Sequence, residues 1–240
     1  MSSGDVPAIV QARLSSSRLP GKVLLRLGGV TVLEQVIEST QRFANPVIVA
    51  TSTDPSDDIL ASFVRDLGVA CVRGPLEDVA ARYQWALEQP EIALAEWFFR
   101  ITADCPLVSA PLARAELEAR SPQYDVLYFE DSALPRGIAP ELVRKEAFLA
   151  LQAEDLSASE REHVTLGLYR RRGERTLSLP VPEHYARPEF RLTLDYPDDY
   201  RLLGELFEHD RELTAEAALS LLAENERWAT LNQACQTAVP

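Results

Sequence analysis

IVQARLSSSRLPGKVL, residues 9–24, begins as an apolar run and turns into a Ser-, Arg-, Gly- and Lys-containing loop without a carboxylate. An apolar run that ends in such a loop reads as a buried strand delivering polar groups to its carboxyl end. Outward from it, short runs rich in Val, Ile and Phe alternate with stretches of helical period. VPAIVQ (6–11) is followed by TVLEQVIESTQRF (31–43), PVIVATS (46–52), DDILASFVRDLG (57–68), VACVRG (69–74), EDVAARYQWALEQ (77–89) and EWFFRIT (96–102). This βαβα rhythm predicts an α/β fold with a mostly parallel central sheet covered on both faces, and ligands on such sheets sit beyond the carboxyl ends of the strands. Thr31 with Glu34 and Ser157 with Glu160 form capping-box patterns, and Asp54 before Pro55 reads as an N-cap. Asp57 and Asp58 read as first-turn helix acids. Asp78 with Arg82 has the spacing of a surface i, i+4 pair, and is as compatible with a functional role.

After about residue 121 the rhythm loosens. YDVLYFE (124–130) predicts a strand, SALPRGIAP (132–140) a loop, 144–151 and 160–172 helical segments, and LSLPV (177–181) an edge strand. FRLTLDYPDDYRLLGELF (190–207) predicts a strand, a turn and a helix. The 240 residues are read as one domain, 1–240, with a block at about 130–188 inserted before the last sheet strand.

Charge sharpens the question posed by the first loop. The chain carries 24 Lys plus Arg against 37 Asp plus Glu, a formal net charge of −13. That balance argues against nucleic acid or an anionic membrane surface as partner. Yet no carboxylate lies between Asp5 and Glu34, while Arg13, Arg18 and Lys22 crowd a segment containing Ala12, Ser15, Ser16, Ser17 and Gly21. Small residues, backbone N–H groups and local cations are what a polyphosphate requires; a solvated loop offsetting acidic neighbours has the same composition. A Walker loop is excluded, because its spacing needs Gly at Ser16 and Ser or Thr at Val23, and no GxGxxG occurs. Three cysteines, Cys71, Cys105 and Cys235, read as reduced thiols. The amino-terminal stretch lacks the pattern of a secretory leader, no window approaches the roughly 18–20 apolar residues that span a bilayer, and a cytoplasmic location is expected.

QARLSSSRLPGKVLLRLGG (11–29) resembles the opening motif of the cytidylyltransferases that activate acidic sugars, the CMP-3-deoxy-manno-octulosonate and CMP-sialic-acid synthetases, and most of all the spore coat polysaccharide biosynthesis protein F-like branch. The resemblance continues in order through ATSTDPSDD (50–58), RGPLEDVAARY (73–83), RITADCPLV (100–108), PRGIAPEL (135–142), REHVT (161–165) and RLTLDYPDDY (191–200). It implies a nucleotide-diphospho-sugar-transferase-like α/β/α sandwich and transfer of CMP from CTP to a small anionic acceptor with release of pyrophosphate. By the same resemblance Arg13, Ser17, Arg18 and Lys22 hold the triphosphate, and Arg13, Lys22 and Asp104 are the catalytic set. Nucleotidyl transfer is largely positioning and charge stabilisation, which suits such guanidinium and ammonium groups. Ala12, Thr51, Arg73 and Gly74 complete the nucleotide site. Asp104 and Asp195 are the implied Mg²⁺ ligands, Mg²⁺ being a cation that takes few protein oxygens; from the residues alone each also reads as a turn-capping aspartate. Asp198 and Asp199 read as helix-start acids. Arg136, Glu141, Arg161 and His163 are the implied acceptor contacts, although a helical histidine such as His163 is as readily structural. Relatives read Gly-hydrophobic-Asp-x-Glu where this chain has Gly137-Ile138-Ala139-Pro140-Glu141, so one acid is missing at Ala139. The resemblance also implies a homodimer with the 130–188 block at its interface. A nucleotide-sugar-dependent glycosyltransferase and a non-catalytic nucleotide-binding subunit are the competing readings; the lysine of RLPGK speaks against the first, and Ala139 motivates the second.

Overall fold

The computed structural model describes residues 6–236; the two ends of the expected 1–240 domain, including most of the amino-terminal stretch read for a leader, lie outside the described residues. The first seven sequence segments fold in the order read. Strands β1 (Ala8–Gln11), β4 (Val47–Ser52), β5 (Ala70–Gly74) and β6 (Trp97–Thr102) are parallel, joined through helices Val32–Gln41, Asp58–Asp66 and Val79–Leu87. A small hairpin of β2 (Arg26–Leu27) and β3 (Val30–Thr31) turns on Gly28 and Gly29, both at positive φ, where glycine carries no steric penalty. The remaining strands are β7 (Val126–Phe129), β8 (Glu141–Arg144) and β9 (Thr176–Leu179). The seven-stranded sheet runs β5-β4-β1-β6-β8-β7-β9, with β8 antiparallel to both neighbours and β9 at the edge predicted for LSLPV.

Both faces of the sheet are buried, as continuous apolar strands require. Val10, Val49, Phe99 and Leu142 face one core with Val36, Leu60, Leu112 and Leu203. Ile9, Ile48, Phe98 and Val143 face the other with Tyr83, Phe148, Leu151 and Leu168. The fold is therefore an α/β/α sandwich with a mostly parallel sheet.

Helix starts obey the local chemistry. Thr31 and Ser157 form complete capping boxes with Glu34 and Glu160, and Asp54 accepts from the Ser56 amide before a 3₁₀ turn.

Three expectations are corrected. The segment 160–172 is two short helices, Ala158–Glu162 and Leu166–Arg171, because Val164 takes φ 50° between them. FRLTL is not a sheet strand. Arg191 makes one isolated bridge to Arg136, while the Leu192 and Leu194 amides bond to the carbonyls of Arg136 and Asp104. Its backbone is spent on loops, and the sheet is completed by β8 and β9 from the middle block instead. Asp78 and Arg82 are not a surface pair: Asp78 caps helix Val79–Leu87 and binds Arg161, and Arg82 is 2% exposed.

Candidate active site

Strand β1 ends at Gln11, and the chain then coils back on itself. The Ser16 and Gly21 amides both donate to the Leu14 carbonyl, and Gly21, at φ 69°, turns the chain into the 3₁₀ segment Lys22–Leu24. The coil is pinned from below by Asp57, which is fully buried and accepts from the Leu14 amide at 2.8 Å and from the Ser52 hydroxyl. Asp57 is thus a loop anchor as well as an acid in the first turn of the 3₁₀ segment Pro55–Asp57, as read from the sequence. Its place inside ATSTDPSDD was the available signal.

The coil delivers Lys22 inward. Its Nζ donates to Asp104 Oδ2 at 2.7 Å, to Asp195 Oδ1 at 3.0 Å and to the Leu194 carbonyl at 2.8 Å. Asp104 follows β6, and Asp195 follows the stretch that crosses the Asp104 backbone, so the two aspartates reach one ammonium from opposite sides. Burial would raise the Asp104 carboxyl, but Lys22 and its hydrogen bonds hold it below the ordinary range. Burial likewise disfavours the Lys22 ammonium, and the two carboxylates outweigh it, raising its proton affinity.

Asp195 is enclosed by cations. Arg18 Nη2 donates to Oδ1 at 2.9 Å, and Arg191 Nη2 donates to Oδ2 at 2.5 Å. Arg18 lies 5.0 Å from the Tyr196 ring centroid, which holds the guanidinium at the mouth of the site. Asp199 accepts from the Asp195 and Tyr196 amides, from Arg191 and from Asn232, fixing the turn; Asp198 pairs with exposed Arg201. Arg191 was not singled out from the sequence, although it opens the RLTLDYPDDY block.

The other predicted residues divide. Ala12 is buried at the start of the coil, Ser17 is exposed on it, and Arg13 lies 3.7 Å from Glu162. Thr51 is fully buried, shares one face of β4 with Val47 and Val49 of the first core, and its hydroxyl has no partner. Arg73 donates to the Ser52 carbonyl and pairs with Asp58 at 2.7 Å, and Gly74 accepts from the Thr53 amide at 2.7 Å.

Of the acceptor set, Glu141 lines a cavity of about 230 Å³ with Arg100, Tyr128, Asp131, Ala139 and Tyr169. Burial opposes its charge, but Arg100 at 2.8 Å, Tyr169 at 2.6 Å and Thr165 at 3.0 Å keep its carboxyl below the usual range. Gly137 is required beside it, since a Cβ there would lie 2.7 Å from the Thr193 amide nitrogen. Arg136 and His163 are exposed, and Arg161 is held by Asp78 at 2.9 Å. Of the four, Glu141 lines that cavity, and Arg136 lies within electrostatic reach of Asp131 on its wall. A larger cleft of about 650 Å³ opens beside Trp97 and Leu149, at the opposite end of β6 from Asp104.

A lysine between two aspartates brought from separate chain segments, beside a carboxylate-free loop, can serve phosphate chemistry, and the comparisons with known proteins specify the class. The cytidylyltransferase family model matches residues 7–233, and the chain belongs to that family, whose members are nucleotidyltransferases. Spore coat polysaccharide biosynthesis protein SpsF of Bacillus subtilis (strain 168) is 30% identical, the match covering 96% of this chain and 99% of that protein. A 3-deoxy-manno-octulosonate cytidylyltransferase of Anaeromyxobacter sp. (strain K) is 33% identical over 48% of this chain and 46% of its own length. Among solved structures, a cytidylyltransferase from Leptospira borgpetersenii superimposes with a TM-score of 0.85 at 22% identity, covering 98% of each chain. CMP:2-keto-3-deoxy-manno-octonic acid synthetase complexed with CTP superimposes with a TM-score of 0.62 at 16% identity, covering 86% of this chain and 99% of that one. Among the described residues no helix is long and apolar enough to cross a membrane.

Proposed function

We propose that this enzyme transfers CMP from CTP to a hydroxyl oxygen of a small anionic acceptor of the acidic-sugar class, releasing pyrophosphate, in the biosynthesis of a surface polysaccharide. The observation that carries the reading is the Lys22 ammonium held between Asp104 and Asp195 beside the Arg13–Arg18 coil. The acceptor oxygen bonds to the α-phosphorus, the bond from that phosphorus to the bridging oxygen breaks, and the hydroxyl proton passes to water. Charge grows on the departing pyrophosphate. Arg13, Arg18 and Lys22 would meet that charge, Lys22 and Arg18 by giving up a present carboxylate or carbonyl partner for a phosphate oxygen, and fixed cations beside a developing charge are where electrostatics contribute most. The glycosyl-transfer alternative forms no such leaving group.

Asp104 and Asp195 fit a hard divalent cation such as Mg²⁺, which needs only one or two protein carboxylates and takes its other ligands from phosphate and water. Asp104 would offer the more available oxygens, since both oxygens of Asp195 already accept from cations. The metal would neutralise phosphate charge; the rest of the work described falls to the arginines and the lysine.

The test is a pyrophosphate-release assay crossing CTP, UTP, ATP and GTP with a panel of acidic sugars. Release that needs CTP, one acidic sugar and a divalent cation together supports the proposal; consumption of a nucleotide-sugar without pyrophosphate refutes it.

A further inference from the structure

Arg82 is a buried cation that the proposed chemistry does not use. It sits in helix Val79–Leu87 at 2% exposure, and its Nε and Nη1 are sealed from water with no hydrogen-bond partner. Nearby acids are already committed. Asp78 bonds to the Ala81 amide and Arg161, and Asp57 to Leu14 and Ser52. Burial, and then the cation of Arg13, depress its proton affinity. Buried charges are ordinarily paired, so a guanidinium left without an acceptor inside a protein marks a place where an acceptor arrives from outside.

Its position says which part of a nucleotide would arrive. A Cβ at Gly74 would meet Arg82 Cγ at 2.9 Å and the Trp85 ring at 3.0 Å, so the glycine ending β5 leaves the room this side chain fills. In the sheet β5 lies two strands from β1 and three from β6. The triphosphate groups proposed above, Lys22 and Asp104, follow β1 and β6. Arg82 stands beside the end of β5 and within electrostatic reach of Arg13 on the coil after β1, so a base directed from those phosphates toward the ends of β4 and β5 would reach it.

We propose that Arg82 reads the pyrimidine, donating N–H bonds to the O2 and N3 acceptors of cytosine, and that it selects CTP over UTP. A guanidinium is donor-only and presents paired N–H groups to adjacent acceptors. Cytosine offers an acceptor at both O2 and N3, whereas uracil carries a hydrogen on N3 and would face the guanidinium donor to donor. Because Nε and Nη1 are sealed in the free protein, the proposal requires the side chain to rotate about its last torsions as the nucleotide enters. The inference rests on the CTP-dependent reading of the site.

The test compares wild type, Arg82→Met and Arg82→Lys in kcat/KM for CTP and UTP, with calorimetric titration of CMP and UMP alongside. Arg82→Met should lower the CTP-to-UTP ratio by about tenfold to a hundredfold, the range of a lost bidentate base contact, with UTP nearly unaffected. Arg82→Lys should fall between. The free Arg82→Met protein should melt at or above the wild-type temperature, because an unpaired buried charge is gone; a merely structural arginine would give the opposite. Equal losses for both nucleotides, or an unchanged ratio, overturn the assignment to the base. Wild type that binds CMP in preference to UMP but turns over with no acceptor overturns the proposed activity, while the binding ratio still decides Arg82. Failure of wild type to distinguish CMP from UMP overturns this inference.

Discussion

Lys22 Nζ stands 2.7 Å from Asp104 Oδ2 and 3.0 Å from Asp195 Oδ1, so one ammonium keeps two carboxylates together at the ends of separate chain segments. In the proposed reaction the same ammonium would also face the leaving pyrophosphate, and this double duty governs what its removal does. Lys22→Ala should lower kcat by about 10²–10³-fold, the size of a lost preorganised donor. Lys22→Arg should rescue little, because a planar fork cannot replace a point charge that donates in three directions. Pyrophosphate release under saturating CTP checks both.

Asp57 holds the phosphate coil through the Leu14 amide. Asp57→Ala leaves that amide and the Ser52 hydroxyl without their acceptor and should cost about 1–3 kcal/mol of stability. Its functional signature should be a raised KM for CTP together with a lowered kcat, since the coil would hold the phosphates in the ground state and Arg13 and Arg18 on it would meet the charge that grows in the transition state. Urea unfolding measures the first effect, and amide exchange at Leu14 follows the release of the coil.

The Arg100–Glu141 pair is a half-buried ion pair at the wall of the smaller cavity. Glu141→Gln leaves the guanidinium without its counter-charge and should destabilise by about 1–3 kcal/mol. Because the folded-state carboxyl lies below its unfolded value, the pair's contribution is present above the ordinary glutamate range and is lost as pH falls through the lowered value. Thermal melts from pH 7 down to 3 should show wild type losing stability toward acid and Glu141→Gln changing less.

Glu116 has the opposite linkage. It is fully buried, neither carboxyl oxygen has a partner, and burial, followed by the charge of Glu141, raises its proton affinity well above the usual range. Its cost is absent at acid pH and grows as pH rises above the ordinary glutamate value. Glu116→Met, of similar volume, should therefore raise the melting temperature, and the gap from wild type should widen between pH 5 and pH 8.

Much of this architecture follows from local pattern. The βαβ rhythm of residues 6–102 placed four parallel strands, and Thr31, Asp54 and Ser157 marked helix starts, because caps and periodicity depend on neighbours a few residues apart. The family motifs carried Lys22, Asp104 and Asp195 onto one site. FRLTL showed the limit: its apolar alternation matches a strand, but its backbone partners are loops 56 and 90 residues upstream, and no local rule could reveal that.

What the sequence by itself determined is the α/β class, the carboxylate-free loop after the first strand and the family to which its spacing belongs. Only the tertiary structure decided that Asp57 anchors that loop, that Arg191 shares Asp195 with Lys22 and Arg18, and that Arg82 is buried without an acceptor. Each depends on a distance between side chains far apart in the chain, and electrostatic partnership is fixed by that distance and by exclusion of water, neither of which residue order encodes locally.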